Sequence, residues 1–326
     1  MKFLTQTSVR RALLGLVSAL AAGGGAALAQ EAYPARSVTI IVPFTAGSLP
    51  DVLARALSEQ LSKAMGQPFV VANRDGAGGV IGVEGVARSK PDGYTLGFGP
   101  QGQFTIQPGV RKDLKYKTAD FEFLCQTNSS YLVVAVGARS PYNSLAELLD
   151  AARKSPGKIS FGSPGTATGP HLVAESIALE AGVKFLHVPF RSAGDMLTQV
   201  LGGTVDFVVT SPGFVTTRKD TKGFAVVAHE RLATNPGIPT LNDLGFKRST
   251  LPGFIGLYAP QGMPQVASDA LRKACTGAVG SEAFKLVSEK VATPAFHADG
   301  PIYSATIKQD LKTMGDLLSA VGIQPE

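Results

Sequence analysis

The sequence predicts an α/β protein made of two lobes, each with a mainly parallel sheet covered by helices. From Ser37 onward, short β-branched apolar runs alternate with amphipathic segments, which is the pattern of strands joined by crossover helices. The 326 residues exceed one typical core, and the alternation falls into two sets that divide near Tyr131. Single extended segments near residues 125–131 and 250–258 connect the two sets, so we expect a two-segment hinge between the lobes.

The first set begins with a strand at Ser37–Val42 and a loop at Pro43–Pro50. A helix follows, because apolar residues recur at helical spacing up to Met65. We expect Asp51 to cap the start of this helix and Gly66 to end it. The next strand, helix and strand are predicted at 69–72, 80–89 and 94–98.

The second set repeats the same alternation. Its elements are predicted in the order strand 131–136, helix 145–154, strand 158–161, helix 171–181, strand 184–188, helix 193–201, and strands 205–210 and 224–228. A further strand at 254–259 leads to helices around 264–278, 281–290 and 303–321. Right-handed crossovers place the loops that follow parallel strands at the same edge of a sheet, so we expect those loops to share a site.

The N-terminus is typical of a cleaved export signal. Lys2, Arg10 and Arg11 precede an apolar stretch, and small residues then lead to an A-x-A site that ends at Ala29. The paired arginines partly resemble a twin-arginine signal, and a general secretory signal fits equally well. Cleavage would leave 297 residues (326 − 29) and lower the net charge from +6 to +3, because three cations are removed. We therefore expect a periplasmic protein whose bulk charge says little about its partners.

Composition and cysteine content bear on several classes of protein. The sequence has no long run of like charges and no basic stripe with interleaved aromatic residues, which argues against nucleic-acid binding. No second apolar run is long enough to span a membrane, so we expect a soluble protein after cleavage. The two cysteines are Cys125 and Cys275, and the sequence is compatible with one disulfide or with two separate buried thiols.

Two strand-loop-helix corners give the strongest functional signal. They lie at Ile40–Arg55 and Ile159–Glu175, and each places small and hydroxyl residues between a buried strand and the start of a helix. Such a corner presents free backbone N–H groups at the positive end of a helix dipole, so it can bind a carboxylate or phosphate without Arg or Lys. With Asp51 as the cap, we expect the amides of Ala46–Ser48 to stay free for a ligand.

Enzymatic alternatives lack the arrangement that their chemistry requires. Ser163 does not stand in a G-x-S-x-G elbow, although an exported hydrolase or transferase that uses Ser163 and His171 stays open as the runner-up. His171 and Glu175 share a helix face but lack the second histidine of a zinc motif. The glycines of Gly76–Gly82 miss the dinucleotide-binding spacing by one residue. The remaining histidines have no metal-ligand spacing: His187, His229 and His297.

A family resemblance extends over essentially the whole chain after the signal. The matching segments are Tyr33-Pro34, VPFTAGSLPDVLAR (42–55), VVANRDGAGGVIGVEGVARSKPDGYTL (70–96), FGSPGTATGPHLVAE (161–175), HVPFRSAGDMLTQVLGGTVDFV (187–208), NPGIPTLNDLG (235–245) and LPGFIGLYAP (251–260). Together they resemble the Bug, or TctC-type, extracytoplasmic solute receptors of tripartite tricarboxylate transporters. Several such segments in the right order are far more specific than a single Gly-rich loop.

The resemblance implies a type II periplasmic-binding-protein fold, in which two doubly wound α/β lobes close on a small carboxylate. It also implies delivery of that ligand to a membrane permease with a large and a small subunit, by a monomer without catalysis, metal or cofactor. We expect a signal peptide at residues 1–29, a first lobe at 30–130 and 252–326, and a second lobe at 131–251. A receptor that reports ligand status to a signalling partner is a further alternative.

The family's two ligand corners fall on Pro43–Ser48 and Gly162–His171, and in the family they hold the inner carboxylate. Ser48 and Ala167 stand where the family often has glycines. The predicted ligand-binding residues are Phe44, Thr45, Ala46, Gly47, Ser48, Gln101, Gln103, Ser163, Pro164, Gly165, Thr166, Thr168, His171, Arg191 and Asp206, with Asp51 as the supporting helix cap.

Three other departures from the family pattern bear on the ligand. Gln101 and Gln103 stand where small residues and a His are common, and Thr210 stands where the family often has an Asp. Arg191 could pair with a distal carboxylate of the ligand or, equally, with a neighbouring acid or solvent. We expect a ligand other than the commonest short dicarboxylates, one with an aromatic or amide portion.

Overall fold

The computed structural model describes residues 33–228, 230–248, 253–320 and 322. Up to residue 130 the elements are β1 (Val38–Val42), α1 (Leu49–Met65), β2 (Phe69–Asn73), α2 (Val80–Ala87), β3 (Thr95–Pro100), α3 (Gly102–Thr105), α4 (Gln107–Val110) and β4 (Phe121–Ser130). Residues 132–227 form β5 (Leu132–Gly137), α5 (Leu145–Lys154), β6 (Ser160–Ser163), α6 (Gly169–Ala181), β7 (Leu186–Pro189), α7 (Ala193–Gly202), β8 (Phe207–Thr210), α8 (Gly213–Thr216) and β9 (Thr221–Val227). The last elements are β10 (Gly253–Pro260), α9 (Gln265–Gly280), α10 (Glu282–Lys290), β11 (Ala295–Asp299) and α11 (Gly300–Ala320).

The strands form two sheets, each the centre of one lobe. The six-stranded sheet has the order β11-β4-β10-β3-β1-β2, and the five-stranded sheet has the order β7-β6-β8-β5-β9. In the first sheet β1 is parallel to β2 and β3, whereas β10 is antiparallel to β3 and β4. In the second sheet β6 is parallel to β7 and β8, and β5 is antiparallel to β8 and β9. The prediction of two α/β lobes is confirmed, but the sheets are mixed rather than mainly parallel.

The strands β4 and β10 run side by side to the junction between the lobes. Ser130 at the end of β4 pairs with Gly253 at the start of β10, and β5 of the second sheet begins two residues after Ser130. The antiparallel pairs follow from this arrangement, because one chain segment leaves the first sheet while the other returns to it. The exact lobe boundaries at residues 131 and 251 stay a prediction.

The core of the first lobe lies between the sheet and helices α1, α9 and α10. Leu53, Leu57 and Leu61 of α1 are fully buried against it, as the helical spacing predicts. Cys125 of β4 and Cys275 of α9 are joined by a disulfide inside this core. The fold thereby decides between the bridge and the separate thiols that the sequence left open.

The core of the second lobe lies on both faces of the five-stranded sheet. Helix α5 begins where Ser144 accepts a hydrogen bond from the Glu147 amide, which is an ordinary side-chain N-cap. Phe161 and Phe207 are buried on the face that α5 and α6 cover, whereas Met196 of α7 is buried on the other. The parallel strands β6 and β8 are therefore covered on both faces of the sheet.

Several local predictions need correction. Helix α1 begins at Leu49 with Ser48 at the N-cap, so Asp51 lies within the first turn and does not cap the helix, whereas Gly66 ends it with φ 70° as expected. Strand β11 and the short helices α3, α4 and α8 are absent from the sequence prediction, because they are too short to show a period.

The predicted signal segment, residue His229 and the hinge residues 249–252 lie outside the described residues. Within the described ranges, no helix has the length and apolar character needed to cross a membrane.

Candidate functional site

The two predicted corners meet in a single cleft between the lobes. Helix α1 of the first lobe and helix α6 of the second both begin there, and Ser48, Leu49, Thr168 and Gly169 line a common cavity of about 190 Å³. We call this cavity the inner chamber. Ser130, Leu132, Gly253 and Ile255 also line it, so it lies against the two segments that connect the lobes.

A larger outer chamber of about 590 Å³ adjoins the inner one. Phe44 and Pro164 line both chambers and mark the passage between them. The lining of the outer chamber comes from segments 43–45, 75–81, 111, 164–166 and 189–191 of the two lobes. Arg111 and Arg191 line it together with Asp75, so charged side chains lie at the outer chamber.

The first corner is built on the buried carboxylate of Asp51. Its oxygens accept hydrogen bonds from the Gly47 amide at 2.9 Å, from Asn73 Nδ2 at 2.8 Å, and from Arg55 Nε and Nη2 at 3.0 and 2.9 Å. Burial would raise the pKa of Asp51, but the hydrogen bonds from Arg55, Gly47 and Asn73 hold the pKa below its usual range. The charged side chain of Asp51 therefore holds the loop in place at the start of α1.

The hydrogen bonds within this loop change which backbone amides are free to bind a ligand. The Gly47 amide is bound to Asp51, and the Ser48 amide donates to the Thr45 carbonyl at 3.2 Å. The prediction that the amides of Gly47 and Ser48 are free for a ligand is therefore wrong, because the loop uses them itself. The Ser48 hydroxyl is buried, lines the inner chamber and has no hydrogen-bond partner among the described residues.

The second corner is built on uncharged groups. Ser163 is fully buried, and its Oγ donates to the Gly165 carbonyl at 3.0 Å while lying 2.7 Å from His187 Nε2. Thr168 Oγ1 also donates to the Gly165 carbonyl, at 2.8 Å. Gly165 itself has φ 140°, a region that L side chains rarely adopt. Ser163 and Thr168 thus shape the loop rather than offering free hydroxyls, which corrects the expectation for Ser163.

Two stacked histidines support the second corner from behind. The rings of His171 and His187 lie 4.1 Å apart between centroids, and the His187 ring stacks on Phe161 at 4.8 Å. Burial lowers the pKa of His171 to about 4, with a further contribution from His187, and burial lowers the pKa of His187 to about 4. Both rings are therefore neutral near pH 7.

The hydrogen bonds of His171 define its tautomer. Its Nδ1 accepts from the Ala167 amide at 3.1 Å, so the neutral ring carries its proton on Nε2, which lies 3.7 Å from a carboxylate oxygen of Glu175. Burial raises the pKa of Glu175. His171 lines neither chamber, so it positions the loop instead of contacting a ligand there. The sequence missed His187, which takes the position beside Ser163 that the hydrolase alternative gave to His171.

The remaining predicted residues divide between the cleft and other places. Gln101 and Gln103 line the inner chamber, while Arg191 and Thr166 line the outer one. Gln101 Oε1 accepts from the Phe254 amide at 3.0 Å. Gln103 is 3% exposed and donates through Nε2 to the Gly78 carbonyl at 3.0 Å, whereas its Oε1 has no partner among the described residues.

Asp206 does not belong to the site. It precedes β8 at the end of that strand opposite to the cleft, where its Oδ2 accepts from both the amide and the hydroxyl of Ser160 at 2.8 Å. Thr210, at the other end of β8, lines the inner chamber. The prediction for Asp206 is wrong because a strand of four residues separates it from the carboxyl edge of the sheet.

One contact between the lobes was not predicted at all. Gln107 of the first lobe donates through Nε2 to the Ala167 carbonyl of the second at 2.9 Å, in a buried position. The loop at Gly78 also approaches the second lobe, since a Cβ at Gly78 would lie 3.0 Å from the Thr166 carbonyl oxygen. Gly78, one of the glycines that resembled a dinucleotide loop, is therefore required for close contact between the lobes.

Two α/β lobes that enclose a cleft, with a helix N-terminus directed into it from each lobe, define a two-lobed solute-binding protein. Residues 53–323 match the Tripartite tricarboxylate transporter family receptor, TctC. The chain therefore belongs to the TctC family, whose members are periplasmic solute-binding proteins, and the resemblance noted in the sequence is confirmed.

Relatives and solved structures agree with this assignment. A UPF0065 protein from the tcbD-tcbE intergenic region of Pseudomonas sp. (strain P51) is 32% identical over 299 residues, covering 87% of each chain. Protein BugT of Bordetella pertussis is 29% identical over 256 residues, covering 77% of this chain and 78% of that protein. The periplasmic binding protein BugD superposes with a TM-score of 0.84 at 28% identity, covering 90% of this chain and all of that one. The R. palustris protein Rpa4515 with adipate superposes with a TM-score of 0.85 at 25% identity, covering 90% of this chain and all of that one. The periplasmic-binding-protein fold is thereby confirmed.

Proposed function

We propose that this protein is a periplasmic receptor that captures a small carboxylate between its lobes and delivers it to a tripartite tricarboxylate transporter permease with a large and a small subunit. In this proposal the chain is exported, its signal is cleaved near Ala29, and it acts as a monomer without catalysis. One observation supports the proposal above the others, and it concerns the N-caps of the helices.

Five of the described helices have Ser or Thr at the N-cap. In α5, α7 and α10 the hydroxyls of Ser144, Ser192 and Ser281 accept a backbone hydrogen bond from their own first turn. In α1 and α6 the hydroxyls of Ser48 and Thr168 make no such cap. Among these five helices, α1 and α6 are thus the two whose first-turn amides are left without a side-chain acceptor, and both begin at the inner chamber, which is the condition for binding an anion there.

The electrostatics of the two helices support a carboxylate in particular. Each helix N-terminus is equivalent to about half a positive charge, so two of them together match roughly one negative charge. An anion held in this way needs no cationic side chain. The match with the R. palustris protein that was solved with adipate agrees with a carboxylate ligand for this chain as well.

The hydrolase alternative has less support. A serine nucleophile must be reachable by its substrate and must give its proton to a base. Ser163 is fully buried, and its Oγ is already hydrogen-bonded to the Gly165 carbonyl and amide and to His187 Nε2, so a substrate in the cleft does not reach it. We therefore expect no carboxylic-ester turnover that depends on Ser163.

The test is a thermal-shift screen with di- and tricarboxylates, aromatic acids and acidic amino acids on protein stripped of copurified ligand. A ligand at 100 times its Kd stabilises the folded state by about 2.7 kcal/mol, which corresponds to a few degrees in Tm at this size. Hits are confirmed by calorimetry, and an unrelated cation such as choline serves as the negative control. No binding by any carboxylate would contradict the proposal. Capture of a sensor protein in place of a permease by the loaded receptor would support the signalling alternative.

A further inference from the structure

The inner and outer chambers differ in charge. Every described residue that lines the inner chamber is uncharged, whereas the outer chamber has Asp75, Arg111 and Arg191. A large part of the inner lining is apolar and comes from both lobes: Leu49, Ile106, Leu132, Met196, Val209 and Ile255. The inner chamber therefore offers two helix N-termini for an anion and no cationic side chain for a second one.

We propose that the inner chamber takes a monocarboxylate with an uncharged, mainly apolar body and one hydrogen-bond donor, and that it disfavours a dicarboxylate of the same length. This inference rests on the receptor function proposed above and names the class of ligand. The partial charges of the two helix ends are matched by one carboxylate. A second carboxylate in this chamber would lose its hydration and find no cationic side chain to pair with, which is costly.

The donor on the ligand is inferred from Gln103. Its Nε2 is used by the Gly78 carbonyl, and this bond assigns the orientation of the amide group. Its Oε1, in a side chain that is 97% buried, is left as an acceptor without a partner. A ligand hydroxyl or amide N–H would satisfy that oxygen, whereas a methyl group or a carboxylate would leave it unpaired.

The Ser48 hydroxyl supplies the complementary group at the anionic end. It is buried without a partner beside the start of α1, and it can donate to a carboxylate oxygen. Ser48 and Gln103 thus contribute two polar groups without a partner to an uncharged lining in which both lobes also place apolar side chains. This polarity predicts a ligand orientation with the carboxylate at the helix ends and the donor at Gln103.

The experiment compares acids of equal skeleton that differ only in the distal group. One series is hexanoate, 6-hydroxyhexanoate and adipate, and the other is benzoate, 4-hydroxybenzoate and terephthalate. We expect the hydroxy acid to bind most tightly in at least one series, and the diacid of that series to bind at least tenfold more weakly, as measured by calorimetry on stripped protein. A diacid that binds most tightly would overturn this inference while leaving the receptor function intact. The inference is also overturned, with the receptor function intact, if none of the six acids binds but another carboxylate of the screen does. If no carboxylate binds at all, the receptor function itself is contradicted.

Two variants make the assignment specific. Gln103→Met should remove the preference for the hydroxy acid over the parent acid, while Gln309→Met on the exposed face of α11 should retain it.

Thr210→Lys places a cation at the inner chamber and should raise the affinity for the diacid relative to the parent acid by about tenfold or more. Thr306→Lys on α11 adds the same charge at a partly exposed position that lines neither chamber, and it should not raise that affinity. A preference that survives Gln103→Met, or a diacid affinity that Thr210→Lys leaves unchanged in a folded protein, would overturn the inference.

Discussion

The loops before α1 and α6 place their helices at the same chamber, yet they are supported by opposite chemistry. The first corner depends on a charged carboxylate, because Asp51 binds Gly47, Asn73 and Arg55. The second depends on neutral groups, because Ser163 is held by the ring of His187. An anion-binding corner can thus be fixed by a buried charge or by buried neutral rings, as long as the first-turn amides of the helix stay free.

The two corners should differ in their sensitivity to acid. The carboxylate of Asp51 stays charged over the physiological range because its pKa is lowered, so the first corner is insensitive to mild acid. The two histidines of the second corner are kept neutral by burial, and protonating either of them would place a charge against an apolar neighbour. We expect acid to affect the second corner first.

The largest effect is expected from the strained position in the second corner. Gly165→Val forces a β-branched side chain into φ 140° and places it against Gly78 of the first lobe, which lies 3.5 Å from the Cβ position. Calorimetry should show that affinity for the ligand falls more than about 100-fold. Gly182→Val is the control, because Gly182 also has a positive φ of 64° but ends α6 away from both chambers. Equal loss of affinity in both variants would show that instability, not the corner, is responsible.

A second prediction concerns the histidine pair. The folded rings stay neutral down to about pH 4, whereas a histidine with the ordinary pKa of 6.5 in the unfolded chain takes up a proton earlier. The free energy of unfolding should therefore fall as pH decreases from about 6.5 to about 4, by up to about 3 kcal/mol for His171. Denaturant titrations across this range measure the slope.

The matched variants for this slope are His187→Gln and His297→Gln. The first removes one neutral ring from the second corner and should flatten the slope. The second removes a histidine of the first lobe that lies outside the pair, and it serves as the control. A wild-type protein whose stability is flat from pH 6.5 to 4 would contradict the role of the histidine pair.

The first corner should also lose stability in acid, but at lower pH than the second. Asp51→Asn keeps the shape of the side chain but removes the charge that Arg55 and Gly47 bind, and we expect a loss of about 1–2 kcal/mol of unfolding free energy at pH 7. Because the lowered pKa makes this contribution available above about pH 4 and removes it in stronger acid, the difference from the wild type should shrink below that pH. Asp113→Asn, at an exposed position, is the control and should change stability little. A difference from the wild type that persists at low pH would assign the effect to packing.

The smallest effect is expected between the corners. Gln107→Met removes the hydrogen bond that joins the first lobe to the Ala167 carbonyl, and one such bond contributes about 1 kcal/mol. The ligand should dissociate about fivefold faster in stopped-flow measurements, because the closed arrangement of the lobes is weakened. Gln309→Met is again the exposed control. An unchanged dissociation rate would mean that Gln107 contributes nothing to closure.

Much of the fold was predictable because its signals are local. The apolar spacing of α1, the β-branched run of β1 and the terminating Gly66 each act within a few residues, and the structure confirms them. The positions of the two corners were predictable for the same reason, since a strand, a small-residue loop and a helix follow one another directly in the chain.

The sequence by itself thus determined two α/β lobes, two corners at helix N-termini and membership of a receptor family. The tertiary structure decided which groups face a ligand. Ser163 pairs with His187, 24 residues away, and Gln107 pairs with Ala167, 60 residues away, so neither partner could be read from local spacing. The uncharged lining of the inner chamber is likewise assembled from both lobes and both connecting segments. Periodicity is set by neighbours along the chain, whereas hydrogen-bond partners and cavity walls are set by residues that meet only after the lobes have packed.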